Sequence, residues 1–163
     1  PGSFSLSTLR LVSESDNQLA STYQNAVEKR CSENRFLIKP GELKGNALLD
    51  LIFLEEMGLL QQVAGIGGLQ LNQKIREDGV WTFVERPLVL IGKGEANKEF
   101  SIEVIKITRI GQEIARILPY DPLASLQEIA TYIEKNFSEL SIAHIFSISP
   151  EGNMQFNEIQ KIK

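Results

Sequence analysis

The sequence predicts an α+β fold in which helices and strands occupy separate stretches of the chain. Apolar residues recur at helical spacing in the first part of the chain, alternate with polar residues in the middle, and return to helical spacing after residue 107. Two strand-like runs then end the chain. Helices followed by a sheet, further helices and a hairpin are typical of segregated α+β architecture rather than a doubly wound parallel sheet.

Three helices are expected before residue 60. Apolar spacings of three and four indicate helices over residues 5–12 and 16–30, and Ser15 or Asp16 can cap the second helix. A third helix, apolar almost all round, is expected from a cap at Asn46 to residue 57, where Gly58 ends it. Residues 36–38 form a short strand or the lead-in to this central helix.

Strands are expected from residue 69 onwards. The runs 69–76 and 80–84 flank the dipeptide Asp78-Gly79, and this pattern predicts a β-hairpin. The other elements expected in this region are a strand at residues 88–91, a loop at residues 92–97 and a half-buried strand at residues 100–104.

Two helices and a second hairpin are expected to complete the chain. One helix spans residues 108–118 with Thr108 as its cap, and the next begins with Asp121 as cap and Pro122 in the first turn. The residues that this last helix should bury are Leu123, Leu126, Ile129, Ala130 and Ile133. The closing strands are residues 142–148 and 154–159, joined by a turn at residues 150–153.

Composition excludes several classes of protein. Of 163 residues, 42% are hydrophobic and 23% are charged, as in ordinary globular domains. The net charge of -4 and the pI of about 5.2 give no global attraction to nucleic acid or anionic membranes. The lone Cys31 cannot form an internal disulfide, which fits a cytoplasmic protein, and the stretch 47–60 is too short and too often interrupted by acidic residues to span a membrane.

The N-terminal segment carries the first resemblance. Pro1-Gly2-Ser3-Phe4-Ser5 followed by Thr8-Leu9 resembles a segment of the bacterial domain-of-unknown-function family 2806. The resemblance implies a bacterial cytosolic protein without an established activity, and it supplies no catalytic residues. Because the chain starts at Pro1 without an initiator methionine or signal peptide, we expect it to be a fragment of a longer protein.

A second resemblance concerns residues 54–60 and 107–114. The stretches Leu-Glu-Glu-Met-Gly-Leu-Leu and Ile-Thr-Arg-Ile-Gly-Gln-Glu-Ile are similar to the end of the recognition helix and the start of the last helix in winged-helix domains. The resemblance implies a winged-helix-like core with an antiparallel sheet. We therefore expect one domain over residues 1–163, or a winged-helix-like portion at 1–118 followed by a helix-hairpin portion at 119–163.

Few residues suit catalysis or metal binding. His144 is the only histidine, and its strand register favours a core position over a site built with Cys31 or a serine. Cys31 follows two cations that can raise its reactivity, although a partly buried structural cysteine is favoured. The glycine-rich residues 65–68 are interpreted as a turn, because they lack phosphate-loop spacing. The adjacent carboxylates at 55–56 and 77–78 diverge, and no cofactor or metal is predicted.

Nucleic-acid contact has one candidate surface. Positive charge is concentrated just before the third helix, at Lys29, Arg30, Arg35, Lys39 and Lys44, which can contact a nucleic acid or an acidic partner. The third helix itself carries Asp50, Glu55 and Glu56 and no cation, which disfavours DNA contact. Trp81 and Phe83 are expected to pack on the sheet rather than stack on bases, because no basic residues accompany them.

The sequence does not identify a biochemical activity. We expect a noncatalytic regulatory or protein-interaction module, with a winged-helix nucleic-acid-binding domain as the alternative and an enzyme third. A protein partner is favoured, a homodimer is possible, and no membrane partner is expected. An interaction surface of this kind should centre on an exposed apolar patch.

Overall fold

The computed structural model describes residues 4–28, 30–32, 34–39, 44–63, 68–149 and 154–160. The chain forms two compact units: a first unit of Pro1–Leu69 with Glu103–Tyr120, and a second unit of Gln70–Ile102 with Asp121–Lys163. The sequence predicted one domain over residues 1–163, with a division at residues 118–119 as the alternative, whereas each of these units combines two separate segments of the chain. Each unit contains both helices and antiparallel strands, so the expected α+β class is confirmed.

The elements of the described chain are, in order, α1 (Leu6–Glu14), α2 (Asn17–Val27), β1 (Arg30–Cys31), β2 (Phe36–Ile38), α3 (Asn46–Glu56), β3 (Leu60–Gln61), β4 (Leu69–Lys74), β5 (Val80–Glu85), β6 (Leu88–Lys93), β7 (Glu99–Ile107), α4 (Arg109–Ala115), α5 (Pro122–Asn136), β8 (Ser141–Ile148) and β9 (Met154–Gln160).

Side-chain caps start most of the helices. Asp16 accepts a hydrogen bond from the Leu19 amide at 2.7 Å, and Thr108 and Asp121 cap α4 and α5 as expected. Helix α3 differs because Asn46 lies inside it: Gly45, with a φ of 61°, precedes the helix and provides no side-chain cap. These polar caps satisfy amide groups that the first helical turn leaves without partners.

The first unit is built around the C-terminal half of β7. The strand order is β1-β2-β7-β3, with β2 and β3 both antiparallel to β7. Apolar residues from α2, α3 and these strands form one core: Leu19, Tyr23, Val27, Leu37, Leu54, Leu59, Leu60, Val63, Ile105 and Ile107. The Tyr23 hydroxyl donates a hydrogen bond to the Gly111 carbonyl at 2.6 Å and thereby joins α2 to α4.

The second unit packs α5 on an antiparallel sheet of order β5-β6-β8-β9. As predicted, Trp81 and Phe83 pack in a core, where Trp81 contacts Phe100 edge to face with ring centroids 5.5 Å apart. A Cβ atom on Gly92 would lie 2.0 Å from the Trp81 ring, so glycine is required at this position. Helix α5 buries Leu126, Ile129, Ala130 and Ile133 as expected, while Leu123 remains half-buried.

Two predictions about the strands were wrong. Asp78-Gly79 does form a turn, in which Asp78 accepts a hydrogen bond from the Val80 amide at 3.1 Å. However, β4 pairs with β7 while β5 pairs with β6, so the turn does not join the two strands of a hairpin. Residues 92–93 belong to β6 rather than to a loop. Gly92 fits in this strand because it has no side chain and leaves room for the Trp81 indole ring. The expected turn at residues 150–153 lies outside the described residues.

Candidate protein-interaction groove

An apolar groove lies between α1, α2 and α4 of the first unit, with a volume of about 280 Å³. We call it the helix groove. Its lining residues that the structure describes are Leu11, Val12, Ser15, Asp16, Asn17, Leu19, Ala20, Tyr23, Gln24, Leu59, Ile114, Ile117 and Leu118. Most of these side chains are apolar, and Asp16 is the one charged residue among them.

The periodicity of α2 produces one wall of the helix groove. Asp16, Leu19, Ala20, Tyr23 and Gln24 recur at helical spacing, so they share one side of the helix. Leu19 and Tyr23 are buried and form the floor, whereas Ala20 is exposed at the rim. Burial raises the pKa of Tyr23, whose hydroxyl therefore stays protonated as a hydrogen-bond donor.

The opposite walls expose large apolar side chains to solvent. Val12 on α1 is 52% exposed, and Ile117, just after α4, is 65% exposed. Leu6 and Leu9 on the same helix α1 are also exposed, at 85% and 51%. An apolar groove with exposed apolar side chains at its rim is a common feature of protein-binding sites.

A carboxylate fixes the position of α1 relative to α4. Glu113 Oε2 accepts hydrogen bonds from the Thr8 hydroxyl at 2.5 Å and the Ser5 amide at 2.8 Å. These hydrogen bonds, from Thr8 first and then from Ser5, lower the pKa of Glu113 to about 2. Ser5 also caps α1. Ser5 and Thr8, which carry part of the N-terminal resemblance, therefore hold one wall of the groove in place.

Arg30 has a structural role instead of the predicted contact role. Its guanidinium group donates hydrogen bonds to the carbonyl oxygens of Val27 at 2.9 Å, Leu118 at 2.9 Å and Pro119 at 3.0 Å. It also bonds Asn34 and lies 4.7 Å from the centre of the Tyr120 ring. With 1% of its surface exposed, Arg30 cannot present its charge to a nucleic acid or an acidic partner.

Burial lowers the pKa of Arg30, and the nearby Tyr120 and Tyr23 hydroxyls act in the opposite direction. A guanidinium group remains charged in either case. Its position beside the last carbonyl groups of α2 is favourable, because the C-terminal end of a helix attracts positive charge. Arg30 therefore connects the end of α2 to the segment that follows α4.

The other predicted cations are not gathered with Arg30 into a basic surface within the described chain. Arg35 is exposed and donates a hydrogen bond to the Ser32 carbonyl at 2.9 Å. The Lys39 Nζ atom lies 3.9 Å from Glu103 Oε2, and Lys44 is exposed. Lys29 lies outside the described residues.

The exposed side of α3 is acidic and apolar. Leu49 is 61% exposed, Met57 is 37% exposed, and Asp50 and Glu56 are exposed beside them. Such a surface repels phosphates, which a DNA-contacting helix must approach.

The two catalytic candidates, His144 and Cys31, lie in different units. His144 is half-buried and packs edge to face on Phe146, with ring centroids 5.7 Å apart. Cys31 is buried and belongs to the first unit, whereas His144 belongs to the second. No described group of three or more His, Cys, Asp or Glu residues is arranged to hold a metal ion. Residues 65–67 of the glycine-rich stretch lie outside the described chain.

Comparisons with protein-family models, curated proteins and solved structures found no match to this chain. The resemblances to the bacterial domain family and to winged-helix domains therefore stay predictions. The longest helix described, α5, has 15 residues, and none in the described part of the chain combines the length and apolarity that crossing a bilayer requires.

The sequence did not reveal the helix groove. Its walls come from residues 11–24, 59 and 114–118, which are far apart in the chain. The sequence contained one signal of an apolar surface. Leu6, Leu9 and Val12 are spaced three residues apart and form an apolar stripe on the short helix α1. The interaction between Glu113 and the N-terminal segment left no recognisable pattern, because it joins residues more than 100 positions apart.

Proposed function

We propose that the chain is a noncatalytic protein-interaction module, and that the helix groove binds the apolar side of an amphipathic helix from a protein partner. The observation that carries this proposal is a concave apolar surface with a buried floor and exposed apolar rims at Val12 and Ile117. Helices bind such grooves by inserting residues spaced three or four apart.

Charge narrows the chemistry of the partner. Asp16 is the one charged residue in the described lining, and one of its carboxylate oxygens caps α2. A partner helix that carries Lys or Arg next to its apolar side would complement Asp16. Because exposed charge pairs add little affinity, this contact would set orientation more than strength.

Site-specific photo-cross-linking tests the proposal. A benzophenone amino acid replaces Ala20 at the groove rim, and Ala47, an exposed alanine on α3, provides the matched control position. The expected result is one dominant adduct from position 20 that position 47 does not give. Mass spectrometry of the adduct should identify an amphipathic helical segment with basic flanks.

A synthetic peptide of that segment then provides a binding measurement. It should bind the wild-type chain and the Ala47→Trp variant equally in fluorescence anisotropy. The Ala20→Trp variant, whose indole fills the groove, should bind it at least about tenfold more weakly, as is usual for loss of a central anchor. Equal binding by both variants, or equal cross-linking from both positions, would refute a role for the groove.

Nucleic-acid binding is the second candidate function. The exposed cations Arg35 and Lys44 favour it, while the acidic surface of α3 opposes it. Anisotropy titrations with duplex and single-stranded DNA at two salt concentrations test this candidate. Salt-sensitive binding that is lost in an Arg35→Gln/Lys44→Gln variant would support it and would displace the groove proposal.

A further inference from the structure

Helix α1 is attached to the first unit by little apolar surface. Of its four apolar residues, Leu11 packs half-buried against the core, whereas Leu6, Leu9 and Val12 are exposed. The one fully buried residue of α1 is the polar Thr8. Elements that bury few apolar side chains are the first to open locally while the rest of a fold stays intact.

Helix α2, which forms another wall of the helix groove, differs in this respect. It buries Leu19, Tyr23 and Val27 in the core of the first unit. The Tyr23 hydroxyl also donates a hydrogen bond to the Gly111 carbonyl of α4. Helix α2 is therefore part of the core, whereas α1 lies against it.

The contacts that hold α1 on α4 include strong polar ones. Glu113 Oε2 accepts hydrogen bonds from the Thr8 hydroxyl at 2.5 Å and the Ser5 amide at 2.8 Å, and Arg109 Nε lies 3.3 Å from the other carboxylate oxygen. Hydrogen bonds to an ionised carboxylate are stronger than those between neutral groups. Removing the Thr8 donor should therefore loosen α1 without removing any apolar contact of the core.

A link of two residues, Ser15 and Asp16, separates α1 from α2. Both have an extended backbone conformation between the two helices. The Asp16 side chain caps α2 by accepting a hydrogen bond from the Leu19 amide, so the first turn of α2 does not require α1. The link can therefore absorb a change in the direction of α1 while α2 stays folded, as hinge residues do.

We propose that α1 is a movable wall of the helix groove, which opens as a unit about Ser15 and Asp16 and is held closed by the hydrogen bonds from Ser5 and Thr8 to Glu113. The consequence for binding rests on the proposed function. Closed α1 places Leu11 and Val12 in the groove lining, so a partner helix that contacts them binds the closed state and shifts the population towards it. Partner binding then orders α1.

Amide hydrogen exchange of the full chain without a partner tests the movement. Protection factors for the amides of residues 9–14, in α1, should be at least about tenfold lower than those for residues 20–27, in α2, because α1 opens without the core. Equal protection of the two helices would overturn the inference, since α1 would then open only when the core unfolds.

Two threonine substitutions test the contact with Glu113. Thr8→Val keeps the side-chain shape and a similar helix propensity but removes the hydroxyl donor, so it should lower protection of α1 by roughly tenfold and leave α2 unchanged. Thr131→Val makes the same change at an exposed position of α5 and should leave both helices unchanged. If Thr8→Val lowers the protection of α1 and α2 equally, or leaves α1 unchanged, the inference is wrong.

The synthetic peptide that binds the helix groove separates this inference from the proposed function. At a peptide concentration of about 100 times its Kd, exchange in α1 should slow by about 100-fold, because only the closed state binds. A peptide that binds without slowing exchange in α1 would overturn the coupling and leave the proposed function intact. If no peptide binds the groove, the proposed function fails, and exchange in the free chain still decides whether α1 moves.

Discussion

Replacing Arg30 by methionine should strongly destabilise the first unit. The substitution keeps an apolar stem of similar length but removes four hydrogen bonds, three of them to main-chain carbonyl oxygens. A hydrogen bond contributes about 1 kcal/mol net, and more when the donor is charged. We therefore expect a loss of about 4 kcal/mol in the free energy of unfolding, which is a large part of a typical stability of about 5–15 kcal/mol.

Urea unfolding followed by circular dichroism measures this loss, and two further variants provide controls. Arg30→Lys keeps the charge but lacks the planar fork of donors, so its loss should be intermediate. Arg35→Met makes the same change at an exposed position and should alter stability by no more than about 0.5 kcal/mol. If Arg30→Met and Arg35→Met lower stability equally, the buried guanidinium does not connect α2 to the segment after α4.

Three other predictions concern single residues. Gly92→Ala should destabilise the second unit by about 3 kcal/mol or prevent its folding, because the new Cβ would lie 2.0 Å from the Trp81 ring; thermal unfolding measures this. The pKa of Glu113 falls from 4.5 to about 2 on folding, so its contribution to stability is full above pH 4.5 and is lost as pH falls to about 2. The melting temperature of the Glu113→Gln variant should depend less on pH over that interval than the melting temperature of the wild type. An unchanged pH dependence would contradict the role given to the Thr8 hydrogen bond. Cys31 should not react with a thiol reagent until the chain unfolds, because its side chain is buried.

Local sequence signals predicted the helices well. Asp16, Thr108 and Asp121 were recognisable as caps because a cap acts on amides two or three residues away. The alternation along residues 100–104 likewise reported one buried side of β7. Each of these signals depends on neighbours within one element, and a single sequence contains all of them.

Long-range partners could not be predicted in the same way. Asp78-Gly79 correctly indicated a turn, but a turn does not determine which strands pair. Strand β5 pairs with β6, which follows it in the chain, and not with β4, which precedes it. The charge of Arg30 indicated an exposed cation, whereas carbonyl groups about 88 positions away hold it inside the fold. The helix groove escaped prediction for the same reason, since it exists only after distant helices assemble.

The interleaved order of the two units constrains how the chain can fold during synthesis. When Leu69 leaves the ribosome, β2 and β3 are present but the central strand between them is still missing, because residues 103–107 have not been made. The second unit in turn lacks α5 and β8 until residues beyond Asp121 emerge. A chain that ends between residues 70 and 120 therefore lacks part of both units. Nascent chains of that length would expose unpaired strand edges to chaperones or to one another.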